Sequence, residues 1–433
     1  KRIFWFWAPL AAMWIIMSVE QPAITAAVTR LPDATKNLAA FGLTFSFALI
    51  IESPVIMLLT AGTALASQQQ SYRRLLYFTL ILSLLLTGLH LLLSLTPLYA
   101  YILREWIGAP LEIIETSRVA FLLMAPWTAM IAFRRLWEGI MIRFDHPQRV
   151  TMVIALRMVA TIVVLLVGLA LDRWPGAYVS GIALSVGVTV GAIAAGLLAR
   201  PIIKEHLSSD PTPEEFLSWR GLNLFYAPLA LTSLIIMIGQ PILSFGLAHA
   251  PLPLMSLAIW PVIMALVFMG RSVGIAYQEV VVALLRDRQS YHVLRRFGLL
   301  LAGISTAAFA LLVLTPGARL WYQHIAGLTP ELVSLAIAPT AILALVPGLG
   351  TVISWQRGVL VHDKDTGPIS LAVAINMGTL LAIMVLGARF GTLPGAVLAA
   401  LALTFSLGVE SLFLGWHIRS VATRRAVAAV VTG

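Results

Sequence analysis

Apolar residues run through this chain in long blocks, each close to the roughly 20 residues a helix needs to cross a hydrocarbon layer. Bounded by charges or by Pro/Gly clusters, the blocks fall at about 3–29, 36–66, 75–95, 117–142, 150–171 and 177–200, then at about 222–248, 254–285, 297–315, 331–358, 368–388 and 393–418. They predict twelve spanning helices, with arginines interrupting the fourth and the tenth. The first block is longer than a signal-peptide core and has no cleavage-like ending, so it is expected to remain as a helix.

The second six blocks repeat the first six. At an offset of 219 residues Ala8-Pro9-Leu10-Ala11 falls on Ala227-Pro228-Leu229-Ala230, and Gln21-Pro22 falls on Gln240-Pro241. Gln70-Ser71-Tyr72 meets Gln289-Ser290-Tyr291, Leu95-Thr96-Pro97 meets Leu314-Thr315-Pro316, and Pro175-Gly176-Ala177 meets Pro394-Gly395-Ala396. Gly108 with Gly327 and Gly139 with Gly358 keep the same offset. Proline and polar residues matching at one unchanged offset mark a duplication. Six spans per copy is an even number, so both copies enter the membrane from one side. The expected fold is an all-α membrane protein of two parallel six-helix lobes related by a pseudo-twofold axis along the membrane normal. The lobes are residues 1–205 and 220–433, joined by a polar linker over 206–219.

Composition agrees: the chain is 60% hydrophobic and 11% charged, against about 25% charged in soluble domains. The net charge of +10 comes from basic residues set singly or in pairs between apolar blocks, which is no nucleic-acid face. Sorting Lys and Arg by alternate loops puts 18 on the side of the termini and 7 on the other. By the positive-inside rule both termini are then cytoplasmic, as in a multi-pass protein of a bacterial inner membrane. With no cysteine, no P-loop, no metal-ligand spacing and no nucleophile motif, the chain reads as neither an enzyme nor a holder of metal or cofactor. Trp5, Trp7, Trp106, Trp321 and Trp416 read as an interfacial belt.

Ionisable groups inside the blocks are costly and carry the functional expectation. Glu20 lies deep in span 1 beside Gln21-Pro22, and Gln240-Pro241 interrupts span 7 at the matching place. A proline frees a backbone carbonyl there, and paired interruptions point to a midplane site. A packing kink is the plainer reading, although a kink needs no carboxylate. Glu52 in span 2 meets Arg271 in span 8 at the repeat offset. Either they bridge the lobes or they form a cleft in which arginine holds an anion and glutamate gates. Glu138 and Arg357 repeat the acid/base exchange nearer the cytoplasmic ends of spans 4 and 10, where an interfacial bridge is expected. Arg157 pairs by offset with Asn376, and with Arg134 and Arg135 it makes a positive level suited to carboxylate or phosphate, unless these side chains snorkel. Tyr277 approaches the end of span 8. Glu410 and His90 read as local hydrogen-bond partners. Substrate contacts are therefore expected from Gln21, Gln240, Arg271, Tyr277, Arg157 and Asn376, and coupling or gating from Glu20, Glu52, Glu138 and Arg357.

Six plus six spans with proline-broken first helices resemble the MATE-like, or MOP flippase, superfamily. Ser67-Gln68-Gln69-Gln70-Ser71-Tyr72-Arg73-Arg74 between spans 2 and 3 does not fit the Gly/Asp/Arg-rich motif of the major facilitator fold. Glu20-Gln21, Leu38-Ala39-Ala40-Phe41-Gly42-Leu43 with Phe45-Ser46 and Pro54, and Trp260-Pro261-Val262 with Tyr277 resemble the progressive ankylosis (ANK) proteins. That resemblance implies a monomeric secondary exporter of citrate-, nucleotide- or pyrophosphate-type anions, working by alternating access in the lipid bilayer and driven by protons or sodium. A MATE-type multidrug/cation antiporter using Glu20 and Glu52, a lipid-linked flippase and a non-transporting scaffold stay open as alternatives.

Overall fold

The computed structural model describes residues 2–207, 218–363, 365 and 367–431, with side chains described over 3–419. Residues 208–217, most of the expected linker, lie outside the described residues. Among the described residues twelve helices are long and apolar enough to cross a membrane, and there is no strand. They are α1 (Ile3–Val28), α2 (Ala34–Leu65), α3 (Gln69–Leu95), α4 (Leu111–Arg143), α5 (Pro147–Leu171), α6 (Gly176–His206), α7 (Trp219–His249), α8 (Pro253–Leu284), α9 (Arg288–Val313), α10 (Pro330–His362), α11 (Gly367–Phe390) and α12 (Gly395–Arg419).

The duplication is written into the irregularities of the helices. α1 breaks at Val19 and α7 at Ile238, just before Glu20-Gln21-Pro22 and Gly239-Gln240-Pro241. Neither proline can donate to the carbonyl four residues back, so the ladder stops and restarts with proline in the first turn of the new helix, where it is tolerated. α2 breaks at Met57 and α8 at Ala276. The hydroxyls of Ser53 and Ser272 turn back onto the carbonyls of Ile50 and Met269, each at 2.7 Å. Gly108 and Gly327 both sit at φ 73°, in the left-handed region that glycine reaches without strain, and close matching π-helical turns.

The helices form two compact units that cut across the repeat boundary. The first gathers residues 1–26 with 246–433, and the second is residues 27–245. In the first unit α1 packs on α8, with Trp7 Nε1 donating to the Val273 carbonyl at 3.0 Å and its ring set edge-on to Phe297. In the second unit α7 packs on α2, with the Tyr226 hydroxyl donating to the Pro54 carbonyl and its ring edge-on to Phe78. Trp7 and Tyr226, Val273 and Pro54, and Phe297 and Phe78 are repeat equivalents. Carbonyls in the last turn before a helix break lack a helical donor, which leaves them open to these aromatic anchors. Trp7 is thus a packing anchor, whereas Trp5, Trp106 and Trp416 are exposed as belt residues would be.

Close helix approach depends on a matched glycine pair. A Cβ on Gly139 of α4 would collide with the Leu59 carbonyl oxygen of α2, and one on Gly358 of α10 would lie 2.9 Å from the Gln278 carbonyl oxygen of α8. His90 of α3 is fully buried, bonded through Nε2 to the Phe121 carbonyl at 2.7 Å and stacked on that ring.

Candidate functional site

Each unit holds a buried polar cluster, and the two occupy equivalent places in the repeat. In the second unit Glu52 of α2 accepts a hydrogen bond from Trp127 Nε1 of α4 at 2.7 Å. Further along α4, Arg134, Arg135 and Glu138 lie within one helical turn, the spacing that lets side chains meet on one face. Glu138 takes Arg134 at 3.1 Å and Arg135 at 3.4 Å. Arg134 and Glu138 are 2% and 1% exposed, so this is a desolvated ion pair. Both arginines also act electrostatically on Glu52. Arg157 of α5 completes the group beside Gly191 of α6, where a Cβ would stand 3.2 Å from Arg134 and 3.3 Å from Arg157.

In the first unit the hub is Glu410 of α12. It pairs with Arg357 of α10 and accepts from Asn376 Nδ2 of α11 at 2.8 Å. Gln356 beside it donates to the Ser411 carbonyl at 2.9 Å. Arg271 of α8 lies against α10 at Gly350, where a Cβ would stand 3.3 Å from its Nε. Arg357 and Glu410 act on it electrostatically, and it forms no ion pair among the described residues.

At the offset, Glu52 corresponds to Arg271, Glu138 to Arg357, Arg157 to Asn376 and Gly191 to Glu410. One locus thus recurs with acid and base exchanged. Arg134 and Arg135 share Glu138 in the second unit, and Arg357 and Arg271 both interact with Glu410 in the first. The buried Nε atoms of Arg134, Arg135, Arg271 and Arg357 have no hydrogen-bond partner among the described residues. Buried donors are rarely left so, and guanidinium groups with open donors are equipped to take a carboxylate or phosphate.

The structure therefore gathers Glu52, Glu138 and Arg157 in one cluster and Arg271, Arg357 and Asn376 in the other. Glu138 and Arg357, expected to form an interfacial bridge, each pair inside their own unit. Glu20 is 8% exposed and opens the second half of α1, while Gln21 and Gln240 are half-buried beside the two breaks. Tyr277 is fully buried and its hydroxyl donates to the Leu294 carbonyl at 2.6 Å, which ties α8 to α9. Glu410, Trp127 and Gln356 were missing from the expected site. Glu410 and Trp127 align with Gly191 and Val346, so the repeat gave them no polar partner to point to.

The fold so defined is that of the MATE-like transporters. No family model and no curated protein matches the sequence. Among solved structures, the chain is similar to an inward-facing multidrug resistance MATE family transporter of the MOP superfamily, at 15% identity and a TM-score of 0.71, over 96% of this chain and 99% of that one. It is similar to the lipid II flippase MurJ in an inward closed conformation, at 13% identity and a TM-score of 0.70, over 95% of this chain and 87% of the other. A third is a MOP superfamily transporter from Pyrococcus furiosus, at 16% identity and a TM-score of 0.61, over 95% and 94% of the two chains, described as having a binding pocket of reverse polarity that suggests a different function. At such identities the likeness is one of fold.

Proposed function

We propose that this protein is a secondary transporter that moves an anionic organic or phosphorylated solute by alternating access. The observation that carries this reading is the buried Nε donors of Arg134, Arg135, Arg271 and Arg357, which have no hydrogen-bond partner among the described residues. An anion arriving at Arg271 competes with the weak hold of Glu410, which already serves Arg357 and Asn376. A ligand that binds one arrangement of these charges better than another shifts the population between conformations, as a transporter requires. Arg157 and Asn376 contribute at the equivalent depth in α5 and α11, with Gln21 and Gln240 at the breaks. Glu20 and Glu52 are the proposed coupling and gating groups, driven by protons or sodium. The ANK resemblance, with citrate, nucleotide or pyrophosphate as cargo, and the cytoplasmic placement of both termini belong to the same proposal.

A second reading is cation or drug antiport. Glu20 favours it, being a buried carboxylate at the break of α1. Purified protein in liposomes under imposed proton and sodium gradients separates the two. Labelled citrate, ATP and pyrophosphate form one arm and ethidium the other. The anion arm should respond, and Arg271→Ala should slow it by about tenfold or more, the cost of a lost charged hydrogen bond. Arg271→Lys, which keeps the charge but not the planar fork, should fall between. Ethidium carried at full rate by Arg271→Ala would sink the anion reading and promote the antiporter.

A further inference from the structure

Apart from the charged clusters, the first unit carries an apolar groove of about 540 Å³ between α1, α8 and α9. Phe4, Trp7, Gly270, Phe297, Ser305 and Ala308 are among its lining residues, and exposed Leu300 and Ile304 border its mouth. It follows α9 from Phe297 to Leu312, about 22 Å at 1.5 Å per residue, or about three-quarters of a hydrocarbon layer. Its polar side-chain atoms are already engaged: Trp7 Nε1 on the Val273 carbonyl, and the Ser305 hydroxyl on the Ala302 carbonyl. An occupant finds no hydrogen bonds there, only hydrocarbon contacts.

The hollow is built by small residues that break the repeat. Where this unit has Gly270, Ser305 and Ala308, the equivalent positions in the other copy are Ile51, Leu86 and Leu89. One turn beyond Phe297, the same face of α9 runs into a second recess of about 300 Å³, lined by Ile3, Arg286, Asp287, Ser290 and Val293 among others. Arg286, Arg288, Arg295 and Arg296 are all exposed at that end. Asp287, which also lines the recess, is engaged in capping α9, its carboxylate accepting from Ser290 N at 2.7 Å. A long dry slot that ends in a recess lined by Arg286, on a surface where Arg288, Arg295 and Arg296 are exposed, matches an amphiphile with a hydrocarbon chain and a negatively charged head.

We propose that this trough binds an anionic phospholipid from the bilayer, its chain along α9 between α1 and α8 and its phosphate at Arg286. Clustered arginines at a membrane surface favour anionic headgroups in this way. The site is independent of the transported solute, and it places a lipid against the half of α1 that ends at the Val19 break.

The test uses the full-length protein in nanodiscs doped with phosphatidylglycerol or phosphatidylcholine carrying a chain diazirine, with cross-links mapped by mass spectrometry. Labelling should concentrate on residues 293–312 and exceed that of the repeat-equivalent stretch 74–93. Ser305→Leu/Ala308→Leu, which installs the residues the other copy carries, should remove it while labelling elsewhere persists. Arg286→Ala should cut the preference for phosphatidylglycerol about fivefold. Should the double variant not stay monodisperse, Ile304→Trp at the mouth asks the same question. Equal labelling of the two stretches, or labelling indifferent to the groove variants, would overturn the site. Equal labelling by both lipids would overturn the anionic headgroup.

Discussion

Glu410 holds Arg357 and Asn376 at once and is almost fully removed from solvent. Removing one member of such a pair leaves an uncompensated charge in a poor solvent for it, whereas replacing both with apolar groups can be nearly neutral. Glu410→Gln should therefore destabilise the detergent-solubilised protein by about 3 kcal/mol, and Arg357→Met/Glu410→Met should recover most of that loss. Thermal unfolding followed by fluorescence-detected gel filtration reads both, and an unrecovered double variant would show that Arg357 is held by something other than Glu410. At this scale the sequence was informative where both copies carry a polar residue. Glu52 with Arg271, Glu138 with Arg357, and Arg157 with Asn376 are pairs whose members lie in the two buried polar clusters. Where one copy has Gly191 or Val346 the alignment of halves offers no polar pair, so Trp127 left no trace in it, and Glu410 read only as the local hydrogen-bond partner that its contacts with Asn376 and Arg357 make it. Nor could the sequence show that Glu52 reaches Trp127 across two helices, since which side chains meet there depends on helix rotation, and helices apolar on most faces do not reveal theirs.

Helix existence and order were legible because long apolar blocks are hard to mistake, but the block edges were not the helix edges. α9 begins at Arg288, although its apolar run starts at about 297, and α3 begins at Gln69, ahead of a run starting at about 75. Hydropathy marks where hydrocarbon begins, while the helix continues into water through polar turns that retain their backbone bonds. The Asp287–Ser290 capping box fixes where α9 starts. Packing between elements was legible only through glycine: Gly139 and Gly358 matched at the offset, and the structure shows α4 on α2 and α10 on α8 at those positions. Adding a methyl where a carbonyl oxygen already stands forces the backbones apart, and overpacking of this kind costs about 1–3 kcal/mol. Gly139→Ala should lower the melting temperature more than Gly358→Ala, because its Cβ would meet backbone oxygen at the shorter distance. Equal shifts would mean that the α2–α4 contact relaxes at little cost.

The molecule's division into packing units follows neither chain order nor the repeat. Residues 1–26 pack with the second copy and 27–245 keep the first part of α7 with the first, so the copies exchange their opening helices at equivalent points. The six-plus-six order was visible in the sequence, but this exchange was not, since the anchors Trp7 and Tyr226 differ in identity and α1 and α7 are apolar on most sides. If alternating access moves the packing units as bodies, each opening helix must travel with the opposite copy. The protein has no native cysteine, so introduced pairs can be joined without background. Trp7→Cys/Phe297→Cys and Tyr226→Cys/Phe78→Cys replace ring pairs whose centroids lie 6.1 Å and 4.8 Å apart, within reach of a short bis-maleimide. Joining either pair should leave transport close to the rate of the unjoined double variant, because both residues belong to one moving body. Transport lost on joining and restored with a cleavable linker would show that α1 and α7 leave these partners during the cycle. The moving bodies would then be the repeats, 1–205 and 220–433, with the aromatic anchors made and broken at every turn.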